Sequence, residues 1–134
     1  MEYTLKVAGL ERKLPLCPLN DDLMIGAFVM FGEVELTEAC ARELARRAPE
    51  HDVILTAESK GIPLVYEMTR QLGRNYYILA RKSAKLYMRN VIRFDVRSIT
   101  TAADQALFLD GRDAAYIKGR RVLIVDDVIS TGQS

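Results

Sequence analysis

Three kinds of hydrophobic pattern follow one another along the chain. From Tyr3 to Leu16 apolar and polar residues alternate: Tyr3, Leu5 and Val7, a turn near Ala8-Gly9, then Leu10 onward to Leu16 before Pro18. Alternation on both sides of a short turn predicts a β-hairpin. Residues 24–31 (Met-Ile-Gly-Ala-Phe-Val-Met-Phe) are apolar all round, so their periodicity fits a strand and a helix equally. Helical spacing begins at Thr37, a good N-cap, with Glu38 in the first turn, Arg46 and Arg47 in the last, and Pro49 beyond Ala48.

The middle of the chain reads as strand, helix, strand. Asp52 to Thr56 is a short buried strand, Ile62 to Leu72 a helix with Pro63 in its first turn and Gly73 past its end, and Tyr76 to Ala80 a second strand. Such a βαβ unit implies a parallel sheet with a right-handed crossover. Asp95–Thr101 and Ala106–Leu109 read as two further strands that could pair, with Asp110–Asp113 as a turn. Finally Val122, Leu123, Ile124 and Val125 form the continuous aliphatic run of a strand buried on both faces. The predicted class is α/β, a mostly parallel twisted sheet flanked by helices behind an N-terminal hairpin.

Composition narrows this picture. A chain of 134 residues is one domain's length, and 19 basic against 18 acidic residues leave a net charge of +1. That balance argues against a nucleic-acid or membrane-surface role for the whole molecule. Cys17 and Cys40 lack metal-type spacing and read as reduced thiols. The first residues do not have the layout of a signal peptide, and no apolar run reaches the length of a membrane span. A soluble, cytoplasmic single domain is expected.

The chemistry concentrates after the last strand. Asp126 and Asp127 are followed by two aliphatics and then Ser130-Thr131-Gly132-Gln133-Ser134. In an open α/β sheet, ligands sit beyond the carboxyl ends of strands, where these carboxylates emerge. A loop of hydroxyls and glycine can close around a phosphate with its backbone N–H groups. Two carboxylates beside an anion loop suit a phosphorylated sugar. The loop Glu58-Ser59-Lys60-Gly61 joins a strand end to a helix start, where outward N–H groups and one lysine favour an anion. From Arg81 to Arg97 six basic residues (Arg81, Lys82, Lys85, Arg89, Arg93, Arg97) face one acid, Asp95. By itself that run reads as a solvated basic loop. His51, the one histidine, precedes a strand at the end away from the acids and makes a poor candidate general base. Gly-x-x-x-x-Gly-Lys and Gly-x-Gly-x-x-Gly motifs are absent. A receiver-type acidic pair would follow the first strand, not the last.

Hydrophobic strand, Asp-Asp, two aliphatics and Ser-Thr-Gly resemble the phosphoribosyl-pyrophosphate (PRPP) signature of the type I phosphoribosyltransferases. Ser59-Lys60-Gly61 resembles the pyrophosphate loop of the adenine-type members, and Arg81-Lys82-x-x-Lys85-Leu86 the basic segment that opens the catalytic loop of the adenine and xanthine branch. The resemblance covers essentially the whole chain, with residues 1–35 as a base-covering hood and 36–134 as the PRPP-binding core. It implies transfer of ribose 5-phosphate from PRPP to a purine, with pyrophosphate and a nucleoside monophosphate as products. Asp126 and Asp127 would hold the ribose, and Ser130, Thr131, Gly132, Gln133 and Ser134 the 5′-phosphate. Ser59, Lys60, Gly61, Arg81, Lys82 and Lys85 would meet pyrophosphate, and Lys82 and Lys85 would join the two aspartates in catalysis. Mg²⁺ would be held mainly by PRPP, and family members are commonly homodimers.

Two departures shape the expectation. Hypoxanthine/guanine-type members carry an acid where this chain has Ser130, which puts adenine first and xanthine second. The chain also stops inside the phosphate loop, where family members continue into a helix, so a fragment of the fold is expected. The alternative within the superfamily is a regulator that binds PRPP without turnover.

Overall fold

The computed structural model describes residues 1–96 and 105–132. The N-terminal hairpin forms as expected. β1 (Glu2–Val7) pairs antiparallel with β2 (Leu10–Pro18), Val7 facing Leu10 across Ala8 and Gly9. Both turn residues have positive φ (51° and 77°), the geometry whose twist matches that of the flanking strands. β3 (Met24–Gly26) adds to the free edge of β2. The apolar stretch 24–31 is thus a three-residue strand and then irregular chain. Its uniform hydrophobicity has two sources: Phe28 and Met30 pack on the core, while Val29 and Phe31 stay exposed.

Helix α1 (Val34–Arg47) begins three residues before the predicted N-cap, so Thr37 lies inside it. The Thr37 hydroxyl donates to the Glu33 carbonyl at 2.7 Å, which satisfies it without a capping role. The entry to the helix is instead stabilised by Arg12 of β2, which bonds Glu33 at 3.3 Å and Glu35 at 2.8 Å and so ties the hairpin to the first turn. β4 (Val53–Ala57), α2 (Ile62–Gln71) and β5 (Ile78–Ala80) form the predicted βαβ unit. β8 (Val122–Ile124) pairs parallel with the other edge of β4, giving the order β5-β4-β8.

The central strand is buried on both faces, and side-chain alternation divides its contacts. Ile54 meets Leu36, Leu64 and Met68 on the α1/α2 face, whereas Val53 and Ile78 join Leu109 and the third helix on the other. β8 departs from expectation: Ile124 is 67% exposed and Val122 and Leu123 are half-buried. Among the described residues β8 has β4 as its one neighbour, so its outward edge lacks cover.

β6 (Ile92–Val96) and β7 (Gln105–Leu109) pair antiparallel, as foreseen, although β6 begins before the predicted 95–101 strand, whose residues 97–101 lie outside the described residues. The expected turn at Asp110–Asp113 is the start of α3 (Gly111–Ile117). The Asp110 side chain accepts from the Arg112 backbone N–H at 3.1 Å, acting as a helix cap. No described helix is long and apolar enough to cross a membrane.

At the amino ends of β4 and β8, Asp52 accepts from the Arg121 backbone N–H at 2.7 Å and from its guanidinium at 3.0 Å. These bonds hold the Asp52 carboxyl down to about 2. A depressed native value stabilises above the unfolded carboxylate range and is lost as pH falls through the native one. The thermal midpoint of Asp52→Asn should therefore lie below wild type at pH 6, and the gap should close as pH falls from about 4 to 2. A gap independent of pH would disprove the clamp. Separately, Met68 is fully buried, and Met68→Ala should cost about 2–5 kcal/mol in urea unfolding.

Candidate active site

Parallel pairing puts the exits of β4 and β8 at one end of the sheet, and the loops that follow touch. A Cβ added to Gly61 would lie 2.5 Å from Thr56 Oγ1 and 3.0 Å from Asp126 Oδ1. Only glycine permits this approach. Thr56 is completely buried, and its hydroxyl has no partner among the described residues. The structure therefore joins the two loops that the sequence singled out, Ser59-Lys60-Gly61 and the stretch that starts at Asp126.

Asp126 and Asp127 are half-buried. Burial, followed by the neighbouring Asp127 side chain, pushes the Asp126 carboxyl above its ordinary range. The Asp127 backbone N–H, donating to Asp126 Oδ1 at 2.8 Å, and the charge of Lys60 pull the other way. Neither aspartate has an ion-pair partner among the described residues. Ser59 and Lys60 are exposed at the rim, as are Ser130, Thr131 and Gly132 just beyond the acids. Gln133 and Ser134, expected to complete the phosphate loop, lie outside the described residues, as does Arg97 of the basic run.

The basic segment is brought in unevenly. Arg81 leaves β5 and is bridged to Phe108 of β7 by two backbone hydrogen bonds of 2.7–2.8 Å. Its guanidinium is already engaged, with Nε donating to Glu58 Oε1 at 2.6 Å and NH1 meeting the Tyr87 hydroxyl. The same Glu58 oxygen accepts from the Lys82 backbone N–H at 2.9 Å. Burial raises the Glu58 carboxyl, but the Lys82 amide and Arg81 more than reverse this and hold it below the ordinary range. Lys82 shares with Glu58 and Asp126 the wall of a cavity of about 460 Å³. Lys85 turns to Ser83 Oγ at 2.9 Å. Of the three predicted pyrophosphate cations on this segment, Lys82 lines the cavity of the acid pair.

Sequence reasoning passed over two features. Glu58 carries no sequence signal that sets it apart in its loop, although it is the residue that joins that loop to Arg81 and Lys82. Nor does any pattern announce the cavity of about 530 Å³ that Asp126 and Asp127 line together with Val7, Ala8, Phe28, Met30 and Leu64. Its walls come from five separate stretches of the chain. His51 sits at the far end of β4, its Nδ1 paired with the Pro49 carbonyl at 2.7 Å, outside the site. No group of three or more potential metal-ligating side chains occurs among the described residues.

Residues 33–134 match the family model of the phosphoribosyl transferase domain. The chain belongs to the phosphoribosyl transferase family. A Methanotorris igneus protein named hypoxanthine/guanine phosphoribosyltransferase is 41% identical over 81 residues, covering 60% of this chain and 40% of that protein. A Methanocaldococcus protein of the same name is 32% identical over 132 residues, covering 92% of this chain and 63% of its own length. The chain thus spans between 40% and 63% of these curated relatives. Among solved structures, adenine phosphoribosyltransferase from Thermoanaerobacter pseudethanolicus aligns with TM-score 0.69 at 20% identity, over 90% of this chain and 69% of the other. The Saccharomyces cerevisiae adenine enzyme, solved with an imino-altritol bisphosphate and adenine, aligns at 0.69 and 22%, over 90% and 70%. These likenesses establish the type I phosphoribosyltransferase fold.

The contact at Gly61 carries a prediction whose sign is informative. Gly61 has helical φ and ψ (−78°, −10°), where alanine would ordinarily stabilise by about 0.4–1 kcal/mol. Crowding against Thr56 and Asp126 should make Gly61→Ala destabilising by about 1–3 kcal/mol instead. A variant as stable as wild type in urea would show that the two loops do not meet.

Proposed function

We propose that the protein is a purine phosphoribosyltransferase that moves ribose 5-phosphate from PRPP to a purine nitrogen, releasing pyrophosphate and a nucleoside monophosphate. One observation carries the reading: the Ser59-Lys60-Gly61 loop closes on Asp126 at the carboxyl end of the parallel sheet. An anion loop, a pair of carboxylates and a hydroxyl-rich loop then surround one space.

In this reading Asp126 and Asp127 accept hydrogen bonds from the ribose hydroxyls, and their charge favours the cationic sugar that forms as the bond to pyrophosphate stretches. Ser130, Thr131 and Gly132, continued by Gln133 and Ser134, offer hydroxyl and backbone donors to the 5′-phosphate. Ser59, Lys60 and Gly61 receive pyrophosphate together with Lys82, whose place in the cavity beside Asp126 suits it to the departing charge. Arg81 contributes through Glu58, which fixes the segment carrying Lys82, and Lys85 lies farther along that segment. Two free carboxylates beside a polyphosphate suit Mg²⁺, which takes one or two carboxylates plus phosphate oxygens and would neutralise the leaving group. That ion would be held mainly by PRPP, with Asp126 and Asp127 as the protein carboxylates available to it.

Leaving group and incoming base must lie on opposite faces of the sugar carbon. Two cavities share Asp126 in their walls. The one with Lys82 and Glu58 is polar, and the one beneath the hairpin tip is mainly apolar, as a purine requires. The β1–β3 sheet serves as the hood, and residues 36–134 as the core. Ser130 in place of an acid favours adenine, whereas the names of the curated relatives favour hypoxanthine and guanine.

Titration of PRPP with Mg²⁺ by calorimetry is the test, with pyrophosphate release followed for adenine, xanthine, guanine and hypoxanthine in turn. Binding and turnover are expected, and Asp126→Asn or Asp127→Asn should weaken PRPP binding by about 10- to 100-fold, the loss of a charge-assisted hydrogen bond. Binding without turnover for any base would replace the enzyme with a PRPP-sensing regulator. A folded chain that ignores PRPP would overturn the reading.

A further inference from the structure

Among the described residues three threonines are buried, and two of them are satisfied. The Thr37 and Thr69 hydroxyls each donate at 2.7 Å to the carbonyl four residues earlier, those of Glu33 and Val65. Thr56 is the exception: it is completely buried, and its hydroxyl has no partner among the described residues. Two other buried side-chain atoms share that condition, His51 Nε2 and Arg74 NH1. They lie together at the opposite end of β4, where Arg74 NH2 donates to the His51 carbonyl at 3.1 Å. Thr56 is therefore the one such group at the candidate site. A buried hydroxyl without a partner destabilises the protein that carries it, so its presence calls for a reason.

Its position supplies one. Thr56 lies two residues beyond Ile54 on β4 and so shares the face that α1 and α2 cover. Leu55 pairs with Ile124, and the Val125 N–H donates to the Leu55 carbonyl at 3.0 Å, which brings Thr56 level with the approach to the acid pair. The atoms nearest to where a Gly61 Cβ would stand are Thr56 Oγ1 at 2.5 Å, Asp126 Oδ1 at 3.0 Å and Asp126 Cα at 3.4 Å. Glycine thus leaves a gap with a hydroxyl on one side and a carboxylate oxygen on the other. That oxygen accepts one bond, from the Asp127 N–H at 2.8 Å, and has a second lone pair to offer. We propose that Thr56 is a positioning residue for Asp126, donating to its carboxylate across Gly61 when a ribose engages that carboxylate. Oδ1 then accepts from Thr56 and from the Asp127 N–H, which leaves Oδ2 for the sugar. The proposal rests on the phosphoribosyltransferase reading and deepens it by adding a group buried beneath the site to those that touch the ligand. Without the hydroxyl, Asp126 would be free to turn, and the ribose alone would have to order it.

Thr56→Val removes the hydroxyl and keeps the branched shape, whereas Thr56→Ser keeps the hydroxyl and loses a buried methyl group. Each is compared with the unsubstituted 134-residue chain by thermal unfolding without ligand and by calorimetric titration with PRPP and Mg²⁺. Thr56→Val should unfold at the same temperature as the unsubstituted chain or higher, because an unpaired polar group is gone. It should nevertheless bind PRPP about 10- to 100-fold more weakly, the worth of a hydrogen bond to a charged group. Thr56→Ser should show the reverse, a lower thermal midpoint with most of the PRPP affinity kept. Pyrophosphate with Mg²⁺ has no ribose and should bind both variants as it binds the unsubstituted chain. Unchanged PRPP affinity in Thr56→Val, an equal loss for pyrophosphate, a Thr56→Ser no better than Thr56→Val, or a Thr56→Val that unfolds earlier would each overturn the proposal. An unsubstituted chain that ignores PRPP would overturn the phosphoribosyltransferase reading, and the role of Thr56 with it.

Discussion

The register Val53↔Val122, Ile54↔Leu123, Leu55↔Ile124 carries the ends of β4 and β8 to the same level, and the loops that leave them inherit their proximity from it. A slip of one residue would turn Leu123 from the α1/α2 face to the α3 face and Val122 the other way. Neither face would accept the exchange, because β4 is buried on both. At the far end the Asp52–Arg121 clamp holds the same register by hydrogen bonds. Gly61 then comes within a methyl group's reach of Asp126. The site is therefore a consequence of strand pairing, and its loops need only short lengths of chain to meet.

The parts of this arrangement that were legible in the sequence are those with local causes. The hairpin could be read because Ala8-Gly9 interrupts an alternating pattern, and α2 because Pro63 and Gly73 bracket it. The acid pair was legible because an abrupt change from aliphatic to acidic residues marks a strand exit. What escaped depends on partners far along the chain. Thr37 looked like a cap, but α1 starts earlier, with Arg12 of β2 bonding Glu33 and Glu35 at its first turn. Asp110–Asp113 looked like a turn, yet Asp110 caps α3 while its neighbour Gly111 packs against the Arg89 and Asn90 carbonyls. Glu58 could not be ranked among a loop's polar residues before Arg81 was known to arrive beside it. The cavity under the hairpin tip has walls from residues 6–9, from Phe28 and Met30, and from α1, a conjunction no local pattern encodes.

Charge pairing distinguishes the acid pair from the carboxylates that the fold ties to arginines. Asp52 and Asp110 are each gripped by an arginine and held down to about 2, and Glu43, Glu58 and Glu67 are likewise bonded to arginines. The fold thus gives each of these carboxylates a guanidinium. Asp126 and Asp127 have no such grip: they are adjacent, half-buried and without an ion-pair partner among the described residues, with Asp126 pushed upward by burial and by its neighbour. Like charges held together out of water raise the free energy of the empty protein. A ligand that brings hydroxyl donors, a metal ion or a developing positive charge removes that penalty at the moment it binds or reacts. Pairing the two acids internally would make the apo protein more stable and leave nothing for the ligand to relieve. Lys60 stands near enough to temper the repulsion yet remains exposed at the rim, Lys82 lines the cavity that Asp126 shares, and both stay available to an anion. The acids and cations around one end of β4 that have no ion-pair partner among the described residues describe, in complement, a ligand that carries both a sugar and its phosphates.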